Sequence, residues 1–243
     1  MRGSIAAALK ALAVLAVVGA VLMPAPAAAQ QAINFSFGGF SPRSEDARDP
    51  NDVVVNDQSF LLFDPSGLHG VKFGGEWTVP LSEFFDAAGG IEYFQGSTLA
   101  EDRFSEFDVT GDPIVAELKL RTVPISATFR YLPAGRHAAV QPYIGGGVSI
   151  TNYRYSETGD FVADDNVTII HGNFVGSGWK AGPVVLGGVR VPVGAWSVGG
   201  ELKYQWGVAD LPADQGFATG PTTAVPKIDL GGFTYAVTFG VRF

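Results

Sequence analysis

Along much of this chain large apolar residues take every second position, with small or polar residues between them. The pattern is clearest at the end, where Phe233, Tyr235, Val237, Phe239, Val241 and Phe243 alternate with Thr234, Ala236, Thr238, Gly240 and Arg242. A period of two is that of a strand whose faces meet different surroundings. Seven earlier segments share it, over about 31–42, 68–81, 85–97, 115–132, 139–155, 179–193 and 196–208; with 229–243 they predict eight strands. In the fourth, the phase changes. Leu118 and Leu120 form its first apolar row, and Ile125, Ala127, Phe129 and Tyr131 its second. One extra residue in a bulge near Pro124 is the predicted cause, because Pro is best tolerated there.

The predicted connections alternate in length. Ser82–Phe84, Pro133–His137 and Gly194–Ala195 are short turns. The others run to roughly 17 to 25 residues, which is uncommon within compact soluble domains. At the start, Arg2 and Lys10 form a positive segment ahead of an apolar run that extends from Ala11 to Leu22, and Ala27-Ala28-Ala29 supplies the small residues of a cleavage site. Residues 1–29 are therefore expected to be a cleaved signal peptide and 30–243 one outer-membrane β-barrel domain. No later run approaches about 18 continuous apolar residues, the signature of a spanning helix. The chain has no cysteine, so neither a disulfide nor a thiolate metal site is expected. The predicted fold is all-β: an eight-stranded antiparallel up-and-down transmembrane β-barrel, which satisfies every backbone group within its own wall. The apolar rows would face lipid, and both termini would fall on the short-turn, periplasmic side.

Charge then separates the two faces. The inward set is expected to hold Lys72, Glu76, Glu92, Glu117, Lys119, Arg121, Arg130, Arg190, Glu201, Lys203 and Arg242. Eight strands enclose a space that side chains just fill. A salt-bridged plug is thus favoured over an open path, with inward glycines making room for the long side chains. Trp77, Tyr93, Tyr131, Tyr204, Trp206, Phe233 and Phe243 are candidates for the aromatic girdles at the two water–lipid interfaces. The net charge of −8 becomes −10 once Arg2 and Lys10 are removed, and 43–67, 98–115, 157–178 and 209–228 together carry 17 acidic against 4 basic residues. Acidic loops disfavour nucleic acid as a partner. The runs around Asp49–Asp57 and Asp160–Asp165 lack the spacing and central glycine of a calcium loop, so no metal or cofactor is expected. The three histidines, His69, His137 and His171, show no serine at a nucleophile's spacing, so no enzyme is expected.

Several stretches resemble a known group. They are Phe35-Ser36-Phe37-Gly38-Gly39-Phe40 followed by Pro42, Thr122-Val123-Pro124-Ile125, Pro142-Tyr143-Ile144-Gly145-Gly146-Gly147, Gly200-Glu201-Leu202-Lys203-Tyr204 and the terminal strand. Together with the leader ending in Ala29, the ordered set resembles the small eight-stranded outer-membrane barrels: the outer membrane protein W, X and A-domain types and the outer-membrane β-barrel domain family. The resemblance covers essentially the whole chain after the leader. It implies that the barrel assembly machinery reads the terminal strand through Tyr235, Phe239, Val241 and Phe243. The expected partners are outer-membrane lipid and lipopolysaccharide, and the expected state is a monomer. The expected role is structural or surface-facing, carried by the acidic loops. Two alternatives stand beside it: a narrow channel for small solutes, hydrophobic ones included, and a soluble periplasmic ligand-binding barrel with its apolar rows turned inward.

Overall fold

A computed structural model describes residues 31–106, 111–163, 168–218 and 225–243; the leader expected over 1–29 lies outside them. Eight long strands carry the fold: β1 (Ala32–Pro42), β2 (Gly70–Pro80), β3 (Phe85–Glu106), β4 (Pro113–Tyr131), β5 (Gln141–Val162), β6 (Ile169–Val193), β7 (Trp196–Gln205) and β8 (Gly232–Arg242). Each pairs antiparallel with the next. β8 then returns to β1, with Phe35 opposite Phe239 and Phe37 opposite Val237, and closes the ring. Closure matters because an open sheet would leave a row of unpaired N–H and C=O groups at its edge. At the end bearing the short turns, Gly194 adopts φ +61 between β6 and β7, a left-handed conformation that glycine accepts without a Cβ penalty.

The apolar rows lie on the outside. Phe37 is 61% exposed, Ile144 63%, Leu202 64% and Tyr235 55%. Every girdle candidate also faces outward, and the rings of Tyr204, Trp206 and Phe233 pack together at 4.3 and 4.5 Å. The apolar belt spans about nine residues on β2 (Val71 to Val79) and on β4 (Val123 to Tyr131), the length a tilted strand needs to cross a hydrocarbon core. Beyond it, the same outward rows turn polar: Arg121, Lys119 and Glu117 on β4, and Asn152, Arg154, Ser156 and Thr158 on β5.

The predicted bulge in β4 is absent. Its register against β5 runs one-to-one from Ala116 opposite Gly159 to Tyr131 opposite Ile144. Burial alternates without a break, and Leu118 and Leu120 are fully buried inside the barrel. Glu117, Lys119 and Arg121 consequently face outward, not into the lumen. The strand keeps its parity; its surroundings change. Inside, the lumen passes from ionic to apolar, while outside the wall passes from the apolar belt into polar rows.

Two of the long connections are also shorter than predicted. β3 continues to Glu106, β5 to Val162 and β6 starts at Ile169, so these segments are tall hairpins standing clear of the belt. The other two fold into the mouth of the barrel. The β1–β2 connection contains a short helix, α1 (Val53–Asp57), and the β7–β8 connection a two-stranded sheet of Val208–Asp210 and Lys227–Asp229. β7 therefore stops at Gln205, short of the predicted 208. Val53, Val54 and Leu68 from the first connection pack with Leu211, Phe217, Ile228 and Leu230 from the second against Phe40, Phe94, Leu120 and Tyr155 of the wall. This cap is the main apolar core of the molecule.

Candidate functional site

Between the turn end and the cap, the lumen is crossed by ion pairs. Arg130 on β4 donates to Glu76 on β2 at 2.6 Å and to Glu201 on β7 at 2.9 Å, and its guanidinium stacks over Tyr143 on β5. Tyr143 itself donates its hydroxyl to Glu201 at 3.1 Å. Glu92 on β3 accepts from Lys203 on β7 at 3.0 Å and forms an ion pair with Lys72 on β2, also at 3.0 Å. Lys72 also donates to Thr234 on β8 and lies over the Phe40 ring. These side chains are nearly all buried. Such a cluster persists only when each charge has a partner, since desolvating an isolated one costs several kcal/mol. Glycines provide the room: at Gly145 a Cβ would come within 3.0 Å of Arg130 Cγ, and at Gly188 within 2.5 Å of Tyr143 Oη.

Eight of the eleven predicted interior charges therefore do face the lumen, and seven belong to ion pairs. Arg190 pairs with Asp86 at 3.2 Å and donates to Gln141. Arg242 differs from expectation. It donates to the Gly194 carbonyl in the β6–β7 turn, and among the described residues no acidic partner is seen for it. Asp86 and Arg136, paired at 2.9 Å, complete the turn-end cluster and were not in the predicted set. Asp86 lies on the same strand face as Gly90 and Glu92, so extending that parity by two steps would have found it. Arg136 sits in a turn, where no period applies. The cavity left among Ser36, Glu76, Glu92, Arg130, Tyr143 and Lys203 is about 30 Å³. That holds little more than a water molecule. The lumen is thus an ionic plug, and the reversed barrel with an apolar lumen wall is not the arrangement observed.

The cap is fastened by buried carboxylates. Asp52 caps α1 by accepting from Val54 N at 3.0 Å; it also accepts from Arg48 at 3.0 Å and from Asp229 N at 2.6 Å. Asp229 accepts in turn from Arg43 at 3.0 Å. The predicted acidic loops are therefore only partly solvated, with Asp52, Asp57 and Glu157 all buried. Above the belt, Asp57 and Glu157 lie together beside Tyr155, whose hydroxyl donates to Asp57 at 3.3 Å. Burial raises both carboxyls, Glu157 to about 7, and negative charge on Glu157 raises Asp57 further. A carboxyl that holds its proton more tightly when folded stabilises the fold at acid pH, and that contribution fades as pH climbs through the folded value. The cap is expected to be tightest below about pH 4.5, the ordinary glutamate value, and to loosen progressively as pH rises from there through about 7. Hydrogen exchange at the Val54 amide, corrected for the intrinsic rate, reads this directly. Glu157→Gln should flatten the profile; an unchanged pH dependence in that variant would refute the assignment.

On the outer wall, Ser41 Oγ on β1 and Nε2 of His69, just before β2, are 3.1 Å apart at the loop-side rim of the belt, a contact that spacing could not reveal. Among the described residues no carboxylate hydrogen-bonds the imidazole, although Asp64 lies close enough to interact with it electrostatically.

The fold and the lumen together define a class: a small antiparallel barrel with an ionic interior and an apolar exterior. No protein-family profile matches the chain, and no curated protein matches it in sequence. Solved structures do resemble it. The outer membrane protein OprG from Pseudomonas aeruginosa is 14% identical, with 89% of this chain and 96% of that one covered and a TM-score of 0.49. Ail, the attachment invasion locus protein of Yersinia pestis, is 11% identical over 88% of this chain and 99% of that one, with a TM-score of 0.43. Neisserial surface protein A is 11% identical over 88% and 97%, with a TM-score of 0.40. Which solvent the barrel meets is a matter for its own faces.

Proposed function

We propose that the protein is an integral outer-membrane barrel with a structural or surface-facing role. The observation that carries this is the exposed apolar belt, which encircles the barrel and gives way to polar rows on the same strands. In water, contiguous exposed apolar patches rarely exceed a few hundred Å². In a bilayer, the belt is the surface that lipid covers. The ionic plug and the packed cap favour a scaffold over a conduit.

On this reading the turn end faces the periplasm, and the hairpins β3–β4 and β5–β6 rise into the medium beside lipopolysaccharide. Residues 1–29 would serve as the export signal. The barrel assembly machinery would read Tyr235, Phe239, Val241 and Phe243, of which Tyr235, Phe239 and Phe243 are more than half exposed on the outer face of β8. The barrel is read as a monomer, since its ring is closed within the belt and offers no strand edge there to a second copy.

Fractionation of cells expressing the full-length chain tests the reading, followed by gel migration in SDS with and without boiling. The expected result is recovery in the outer membrane, with a folded band that shifts on boiling. Recovery in the soluble periplasmic fraction would overturn it.

A further inference from the structure

Just above the belt, the outer wall carries a patch of unpartnered cations. Arg121 on β4 stands directly opposite Arg154 on β5, and Lys119, the next outward residue of β4, stands opposite Ser156. Residues opposed on one sheet face have Cβ atoms about 5 Å apart, and like charges so placed repel. Nothing in the chain offsets this. Among the described residues none of the three side chains forms an ion pair or a hydrogen bond, although the net charge of −8 means that acids are not scarce. Glu117, the acid on the same row of β4, lies one step further from the belt, opposite Thr158. Arg154 is exposed. Arg121 is half-buried with its Nε enclosed, which leaves its terminal nitrogens to meet a ligand. On the other side, Val123 and Ile125 follow Arg121 along the same row and open the belt. Trp179 on β6, opposite Asn152 and 60% exposed, marks the same boundary. Indole rings favour such a water–lipid interface.

We propose that this patch binds the phosphorylated headgroup of an outer-leaflet lipid, with the phosphate among Lys119, Arg121 and Arg154 and the acyl chains on the belt below. A guanidinium fork matches two phosphate oxygens, and an ammonium adds a point charge. A phosphate monoester brings up to about two negative charges and three acceptor oxygens, enough to engage all three side chains. It turns the repulsion across the β4–β5 pair into a shared contact. A soluble polyanion fits poorly. The hairpins above the patch repel it through Glu101, Asp102 and Glu106 on β3 and Asp160 on β5, and it has no apolar part to lay on Val123 and Ile125. The inference rests on the membrane reading and adds to it a headgroup site at one place on the rim.

The test is nuclear magnetic resonance on the mature chain with isotope-labelled arginine, folded in a zwitterionic detergent and verified by its boiling-dependent gel shift. The probes are dihexanoyl phosphatidic acid, dihexanoyl phosphatidylcholine and inorganic phosphate. The reporter is the Arg154 side-chain resonance, identified by its loss in Arg154→Gln. Phosphatidic acid should shift it saturably, at a concentration at least tenfold lower than either other probe requires. A double variant, Lys119→Gln with Arg121→Gln, keeps the reporter and should need at least tenfold more phosphatidic acid. Equal response to the two lipids, or a double variant as responsive as the unaltered chain, would overturn the proposal. Inorganic phosphate acting as strongly as phosphatidic acid would overturn the lipid as the source of the anion. The comparison of probes uses the unaltered protein and stands even if the double variant fails to fold. A barrel that gives the gel shift but no lipid preference loses this site alone; recovery of the protein in the soluble fraction would remove the membrane reading itself.

Discussion

Arg130→Met should destabilise the barrel by about 3–5 kcal/mol, the usual cost of removing one partner from a buried ion pair. The guanidinium is the only bridge seen between Glu76 and Glu201 among the described residues, and its side chain is 5% exposed. Without it, Glu76 keeps only a hydroxyl from Thr78, while Glu201 keeps Tyr143 and a longer contact to Lys203 at 3.4 Å. The measurement is the urea midpoint of the detergent-folded protein. Lys119→Met is the control. It alters a charge that the sequence pattern assigned to the lumen and that the structure puts on the outside, and it should stay within about 0.5 kcal/mol. If the two variants lost equal stability, the lumen network would not be the stabilising element described. A triple variant, Arg130→Met with Glu76→Gln and Glu201→Gln, should recover part of the loss, since the remaining penalty is that of uncompensated charge.

The second large effect belongs to the outer face. Val237 lies near the middle of the belt on β8, flanked across the sheet by Phe37 on β1 and Gly200 on β7. Val237→Arg should cost about 2–4 kcal/mol in a bilayer, the price of an arginine at mid-depth on a barrel wall. The same substitution at Thr158, which stands beside Glu117 above the belt, should be close to neutral. Folding into lipid vesicles, followed by the gel shift, compares them. Equal tolerance at both positions would mean that no hydrocarbon covers the belt, and the membrane reading would fall.

Much of this architecture is legible in the sequence because β1 and β8 meet lipid on one side and polar groups on the other along most of their length. Their alternation is a direct record of that contrast. β4 defeats the same reading. From Arg130 down to Ser126 its inward residues meet the ionic plug, whereas Leu120, Leu118 and Ile114 meet the upper apolar interior. Polarity reverses although the pleat does not, and a period-two reading then inserts a bulge to explain it. The cap is hidden for a different reason. Val53, Val54 and Val55 are β-branched and poor helix formers, and α1 forms because Asp52 caps it and the mouth of the barrel buries it. Its partners come from a connection some 160 residues later, which no local pattern records. Glu157 falls in a predicted acidic loop, yet it continues the inward parity of Tyr153 and Tyr155, because β5 runs beyond the predicted strand end at 155.

The ion pairs also join walls that are not neighbours in the ring. Arg130 ties β4 to β2 and to β7, Lys203 ties β7 to β3, and Lys72 reaches from β2 past β1 to Thr234 on β8. In mechanical terms these are spokes. A hollow tube of eight strands can flatten under lateral pressure without breaking a wall hydrogen bond, but a spoked one must first stretch a charge pair. The barrel should accordingly keep a round cross-section as bilayer tension changes, and its β1–β8 seam should resist being prised apart even where the wall itself is thin.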